Sequence, residues 1–222
     1  MNIERINEIA FRTMSRRKSH LQREKGFIYY HCQRVAKMSI NLRKDLFPND
    51  ISMDEIIYVG ALFHDVTKGI EPHNKTGAHL IKSLLQKECS PADLDKVSNI
   101  IEYHNSRNND DLPYYIKIIQ DADILDHFGS MEVWLKFMYS AHTEENVLDA
   151  IRLWESEEHK KYLDSSRIAL NYEISKGIFD RKIEFETQFQ DRFKLESNGE
   201  IWFEINSLKA SPSDNTMFPL RG

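Results

Sequence analysis

Apolar positions recur every three or four residues along nearly the whole chain, the spacing of helices that bury one face. A first amphipathic helix is predicted over about Ile3–Ser19, and a second from Phe27 to Leu46, stopping before Pro48. In the second, Phe27, Ile28, Val35, Met38, Ser39 and Leu42 share one stripe, and His31 falls on it. A third helix is expected after Ser52, with Glu55 three residues on as a capping-box signal. It runs through the apolar segment IIYVGALF and ends at His64-Asp65. A fourth opens near His73 or Asn74 and buries Leu80, Ile81, Leu84 and Leu85. Ser90-Pro91, a cap followed by proline at the first helical position, starts a fifth with the stripe Leu94, Val97, Ile101, His104. The loop NSRNNDD follows, and Pro113 starts a sixth helix through Phe128. Further helical segments are expected over Met131–Ser140, Glu144–Ser156 and a long Tyr162–Glu196. The last has Ile168, Ile174, Phe179, Ile183, Phe185, Phe189 and Phe193 as contacts. After Asn198-Gly199 comes EIWFEI, the one strand-like stretch, then a tail, ASPSDNTMFPLRG, with a disordered composition. The expectation is an all-α fold: one helical domain over residues 1–197 and a short appendage over 198–222.

Composition narrows the class. The chain has 222 residues and a formal net charge of −5, so it lacks the overall field of a protein that coats duplexes. The basic run SRRKSHLQREK has no interleaved aromatics and reads as a solvated face, so nucleic-acid binding is not expected. Cys32 and Cys89 form no close pair, which argues against a disulfide framework and for a reducing compartment. The N-terminus MNIERINEIA is too charged for a signal peptide, and IIYVGALF is too short to span a bilayer. The expected location is cytoplasmic, with no membrane partner. No feature sets an oligomeric state.

Nine histidines punctuate this pattern. His20, His142 and His159 sit among polar neighbours and read as surface residues, while His79 and His127 are ambiguous. His31, His64 and His104 fall on apolar stripes, and His73 opens a helix. One histidine on an apolar face is ordinarily a satisfied core residue. Several of them, with Asp65 and with Asp121, Asp123 and Asp126 in QDADILDHF, need a compensating charge, because unpaired buried charges are costly. A divalent cation supplies that charge, and imidazole with carboxylate suits Mn, Fe, Co, Ni or Zn. The positive end of a helix dipole at His73 is expected to lower its pKa and keep the ring neutral. Periodicity does not choose between the aspartates. Asp123 lies with Ile116, Ile119, Asp126 and His127, and Asp121 with Tyr114, Ile118, Leu125 and Phe128.

The histidine in HCQRVAKMS, the pair in ALFHDVTKG and an aspartate in QDADILDHFG resemble, in order and spacing, the H…HD…D signature of HD-domain metal-dependent phosphohydrolases. The resemblance spans about residues 27–129. It implies an HD-type helical bundle with a long C-terminal helix, and His31, His64, Asp65 and Asp123 as metal ligands. HNKTGA and IIEYHN are similar to elements of HD proteins that hold two metals, which adds His73 and His104. The gap from His64 to His73 is short, so His73 can alternatively bind a substrate phosphate beside one metal. The cofactor implied is one or two divalent ions: Mn, Fe, Co, Ni, Zn or Mg. The activity implied is cleavage of a phosphate ester or anhydride, in a small phosphorylated molecule such as a nucleotide, by metal-activated water. The alternative is a non-catalytic nucleotide-binding sensor. Asp65 is the natural bridging carboxylate. Lys68 matches an HD-x-x-K variant and is expected to stabilise phosphate charge, or else to be an ordinary lysine at a helix end. Arg34 matches a frequent arginine there, or forms a surface salt bridge. Asn105 and Arg107 are candidates to line the mouth. Asp126, one turn beyond Asp123, is a candidate proton carrier or support for a ligand histidine.

Overall fold

Hydrophobic stripes of this spacing become ten helices in the computed structural model, which describes residues 1–201. They are α1 (Ile3–Met14), α2 (Phe27–Leu46), α3 (Asp54–Phe63), α4 (His73–Leu84), α5 (Pro91–Tyr103), α6 (Tyr114–Asp126), α7 (Ser130–Thr143), α8 (Val147–Trp154), α9 (Glu157–Ile168) and α10 (Glu173–Ser197). No strand occurs among the described residues. EIWFEI lies outside them apart from Glu200 and Ile201.

The core lies between α2, α3, α5 and α6, with Ile6, Ala10 and Met14 of α1 closing one side. Nearly all of α3 is buried, which is why its sequence is apolar on every face. Gly60 lets α3 and α5 approach: a Cβ there would sit 2.6 Å from Ile100 Cγ2. The two helices therefore end side by side, with His64 and His104 as their C-cap residues. The α6 helix also ends nearby, at His127.

Several boundaries differ from expectation. The first helix stops at Met14, five residues early, because the chain turns at Ser15 to meet α2. Gly26, the α2 N-cap, has φ 82° and packs so closely on Ser15 that a Cβ would lie 2.6 Å from its carbonyl oxygen. The expected capping box at Ser52 does not form. Its hydroxyl donates to Asp50 Oδ1 at 2.7 Å, and α3 starts without a side-chain cap. At α5 the expected cap does form, with Ser90 Oγ accepting from the Asp93 N–H at 3.2 Å. The segment expected from Glu144 begins at Val147, because Glu144 takes a left-handed conformation that ends α7, and Asn146 with Asp149 forms a capping box.

The largest correction concerns the long closing helix, which is two. Between α9 and α10, Leu170 is buried, and buried Asp121 accepts from the Asn171 N–H at 2.8 Å and the Tyr172 N–H at 3.1 Å. A distant carboxylate thus captures the amides that start α10. Of the expected contacts, Phe179 is buried, whereas Ile168, Ile174 and Phe185 are exposed. No described helix is long and apolar enough to cross a membrane.

Candidate metal centre

Five imidazoles meet where α2, α3, α4, α5 and α6 converge. His31 comes from the N-terminal part of α2, where its i+4 spacing from Phe27 stacks the two rings at 5.5 Å and 1°. His64 and Asp65 follow the last residue of α3, His73 opens α4, His104 follows α5, and Asp123 lies in the last turn of α6. The expected ligands come together. His31 Nε2 lies 3.2 Å from His64 Nε2 and 3.2 Å from Asp123 Oδ1. His64 Nε2 is 3.6 Å from Asp123 Oδ1 and 3.9 Å from Asp65 Oδ2. The other Asp65 oxygen is 3.3 Å from His73 Nε2 and 3.6 Å from His104 Nε2.

Each ring is fixed by its other nitrogen. His31 Nδ1 is bonded to Asp126 Oδ2 at 2.8 Å, and His73 Nδ1 to Glu71 Oε2 at 2.9 Å. His64 Nδ1 donates to the Ala61 carbonyl and His104 Nδ1 to the Ile101 carbonyl, each at 2.7 Å. His127 Nδ1 donates to the Asp123 carbonyl at 2.9 Å. Acceptors therefore hold a proton on Nδ1 in all five rings, and the Nε2 atoms of His31, His64, His73 and His104 face the carboxylates of the centre.

The carboxylates and imidazoles of the centre shift one another, and against its burial His64 is raised well above its usual value by Cys32, Asp65 and Asp123. Burial favours neutral carboxyls, yet His64, His104 and His73 hold Asp65 well below the usual carboxylate range. Burial is outweighed at Asp123 too, where His31 and His64 hold the carboxyl well below that range. Burial also opposes charge on His31, but Asp123 and Asp126 push it up to about 9. Burial lowers His104 and His127. His73 departs from expectation: the Asp65 carboxylate 3.3 Å from its Nε2 raises its pKa, so a nearby carboxylate overrides the helix terminus.

The same residues fit a metal. Asp65 Oδ1 is buried without a hydrogen-bond partner among the described residues. Three groups, His31–His64–Asp65, His31–Asp123–His127 and Asp65–His73–His104, each place their ligand atoms within 4.8 Å of one another. All offer only nitrogen and oxygen donors, suited to divalent ions of intermediate hardness.

The remaining expected residues divide by what they touch. Lys68, about one-third exposed, places Nζ 3.5 Å from both Asp65 Oδ1 and His73 Nε2. Arg34 donates to both oxygens of Asp126, at 2.8 and 2.9 Å. Arg107 donates to Asp123 Oδ2 at 2.7 Å and to the Gln120 carbonyl at 2.6 Å. Asn105 is exposed beside His104. Asp121, the periodicity's other choice, lies away from the centre at the start of α10.

Four participants escaped sequence reasoning. His127 had been ambiguous. Glu71 is an exposed loop acid with no pattern. Gln120 anchors the loop after His104 by donating to the carbonyls of Tyr103 and Ser106 at 3.1 and 3.0 Å. Arg17, in the basic run, donates to the carbonyls of Val66 and Lys68 and so braces the turn after Asp65. His20, His79 and His142 are exposed, but His159, expected at the surface, is buried on α9.

Residues 28–127 match the family model described as the HD domain. No curated protein matches the chain. Among solved structures, Bacillus subtilis YpgQ in complex with ADP is similar at 19% identity, covering 87% of this chain and 98% of that one, with a TM-score of 0.61. An HD-superfamily hydrolase from Bacillus thuringiensis is 21% identical over 90% of this chain and 100% of its own, with a TM-score of 0.61. A predicted HD superfamily hydrolase from an uncultured Thermotogales bacterium is 18% identical over 88% and 92%, with a TM-score of 0.60. The architecture is thus all-helical, shares its fold with these HD-domain structures, and is closed by the long α10.

Proposed function

We propose that the protein is a metal-dependent phosphohydrolase acting on a phosphate ester or anhydride of a nucleotide. The observation that carries this reading is the set of four imidazoles, His31, His64, His73 and His104, with Nδ1 committed and Nε2 facing the ionised carboxylates Asp65 and Asp123. The likeness to YpgQ, solved with ADP, supports a nucleotide as substrate class.

His31, His64, Asp65 and Asp123 would hold one divalent ion, and Asp65, His73 and His104 a second, with Asp65 common to both sets. An ion held there supplies Lewis acidity toward a phosphoryl oxygen and lowers the pKa of water. Lys68 presents an ammonium group beside Asp65 and neutralises charge on the bound phosphate. Asp126 keeps the proton on His31 Nδ1. Arg34 keeps Asp126 ionised, and Arg107 orients Asp123, so both arginines act through the carboxylates they hold. Asn105 lines the mouth beside His104.

A panel of nucleotides, assayed with Mn, Co, Ni, Fe, Zn and Mg in turn for phosphate, pyrophosphate and monophosphate, tests the reading. Turnover is expected with at least one ion and is expected to fall to background in His64→Ala. No product with any ion, or a His64→Ala variant as active as the wild type, would overturn it.

A further inference from the structure

Beside the metal centre lies a cavity of about 350 Å³, and His127 forms part of its wall. The ring of His127 is 4.9 Å from that of His31, so the cavity is one imidazole away from the proposed ligands. Its size falls within the range of small-molecule sites, and a nucleoside fits such a volume. Leu135, Leu153, Tyr139 and Tyr162 give it apolar and aromatic walls, the surface that a ring system and a sugar need.

Its polar groups fall into two kinds. Lys136 and Glu145 satisfy each other at 2.7 Å. Arg23 and Glu132 are less fully satisfied: Arg23 Nε and Glu132 Oε2 are both buried without a well-formed hydrogen bond among the described residues, although the Trp154 indole offsets part of the burial of Glu132. Burial depresses the pKa of Arg23 and raises that of Glu132, the direction expected of groups withdrawn from water without full compensation. Incompletely satisfied groups of opposite polarity in one cavity suit a ligand that both donates and accepts, as the edge of a nucleobase does. Arg23 is also held in place. Its guanidinium lies 5.0 Å over the Phe27 ring, and Phe27 in turn stacks on His31. Arg23 belongs to the same basic run as Arg17, which braces the turn after Asp65, so this charged run is folded against the site.

Resting on the phosphohydrolase reading, we propose that this cavity binds the base and sugar of the nucleotide, with Arg23 and Glu132 as the residues that select it, while the phosphates extend past His127 to the metal centre.

The test compares a nucleoside triphosphate with inorganic tripolyphosphate, which has the reacting group but no nucleoside, in wild type, Arg23→Met, Glu132→Ala and Glu132→Gln. The ratio of kcat/KM for the nucleotide to that for tripolyphosphate is expected to fall about ten-fold in Arg23→Met and Glu132→Ala, through KM. A parallel titration of chelator-treated protein with a nucleoside monophosphate, read by tyrosine fluorescence, is expected to lose affinity in the same variants. Glu132→Gln keeps the shape of the side chain and decides the matter if Glu132→Ala fails to fold. An unaltered ratio with unaltered monophosphate affinity overturns the subsite and leaves the phosphohydrolase reading standing. If wild type cleaves neither compound, the fluorescence titration alone decides the subsite, and unaltered monophosphate affinity in Arg23→Met and Glu132→Gln overturns it.

Discussion

Asp126 joins His31 to Arg34: one oxygen bonds His31 Nδ1 at 2.8 Å, and both oxygens accept from the guanidinium. The carboxylate is therefore committed to holding the ring. Asp126→Asn cannot accept at both positions and keep the ring's tautomer. Metal affinity is expected to fall roughly 10–100-fold. Chelator-competition titration with Mn measures this, and an affinity within two-fold of wild type, about 0.4 kcal/mol, counts against it.

Asp121 and Asp123 are two residues apart yet perform different tasks. Asp121→Asn weakens the carboxylate that caps α10 and is expected to cost about 1–3 kcal/mol of stability while metal binding is retained. Asp123→Asn is expected to lose metal and keep the fold. Urea unfolding paired with elemental analysis separates the two, and a reversed pattern would assign the wrong aspartate to the centre.

The sharing of Asp65 by two ligand groups makes the ion count measurable. Wild-type protein is expected to carry two ions per chain and His104→Ala one. If His104→Ala carries as many ions as wild type, then Asp65, His73 and His104 are not a second site.

Glu186 gives the fold a pH dependence of its own. It is buried on α10, accepts from the Gly129 N–H, and burial pushes its carboxyl up from 4.5 to about 8. Between those values the folded chain keeps a proton that the unfolded chain has released. This contribution is complete below about 4.5 and is lost as pH rises to about 8. Its upper limit is about 5 kcal/mol. Glu186→Gln retains an acceptor for Gly129 and is expected to flatten the fall in stability. Denaturant midpoints of the two proteins at about pH 5 and about pH 8 should converge at the lower value and part at the higher. Parallel curves would mean that another group titrates.

Local signals were legible in the sequence where they decided the structure. The stripe of α2 and the proline after it gave both ends of that helix, and Ser90-Pro91 gave the start of α5. The split between α9 and α10 was hidden, because ALNY carries neither glycine nor proline and the break is imposed by Asp121 some fifty residues away. The proposed ligands His31, His64, Asp65, His73, His104 and Asp123 were readable as polar residues in apolar surroundings or by resemblance. Their supports were not. Glu71 and Arg17 act through loop contacts that no periodicity encodes, and the commitment of Arg34 and Arg107 to carboxylates depends on which helices face one another. His159 looked exposed because its neighbours in sequence are polar, but its helix turns that one position inward.

The shared ending of α3, α5 and α6 has a consequence for the charge around the centre. His64, His104 and His127 cap the C-terminal ends of these helices, so three sets of carbonyls point toward the same centre. Each helix end carries roughly half a negative charge, which adds to the two carboxylates. A divalent cation held there would be favoured by the helix ends as well as by Asp65 and Asp123, so backbone and side chains act on it in the same sense.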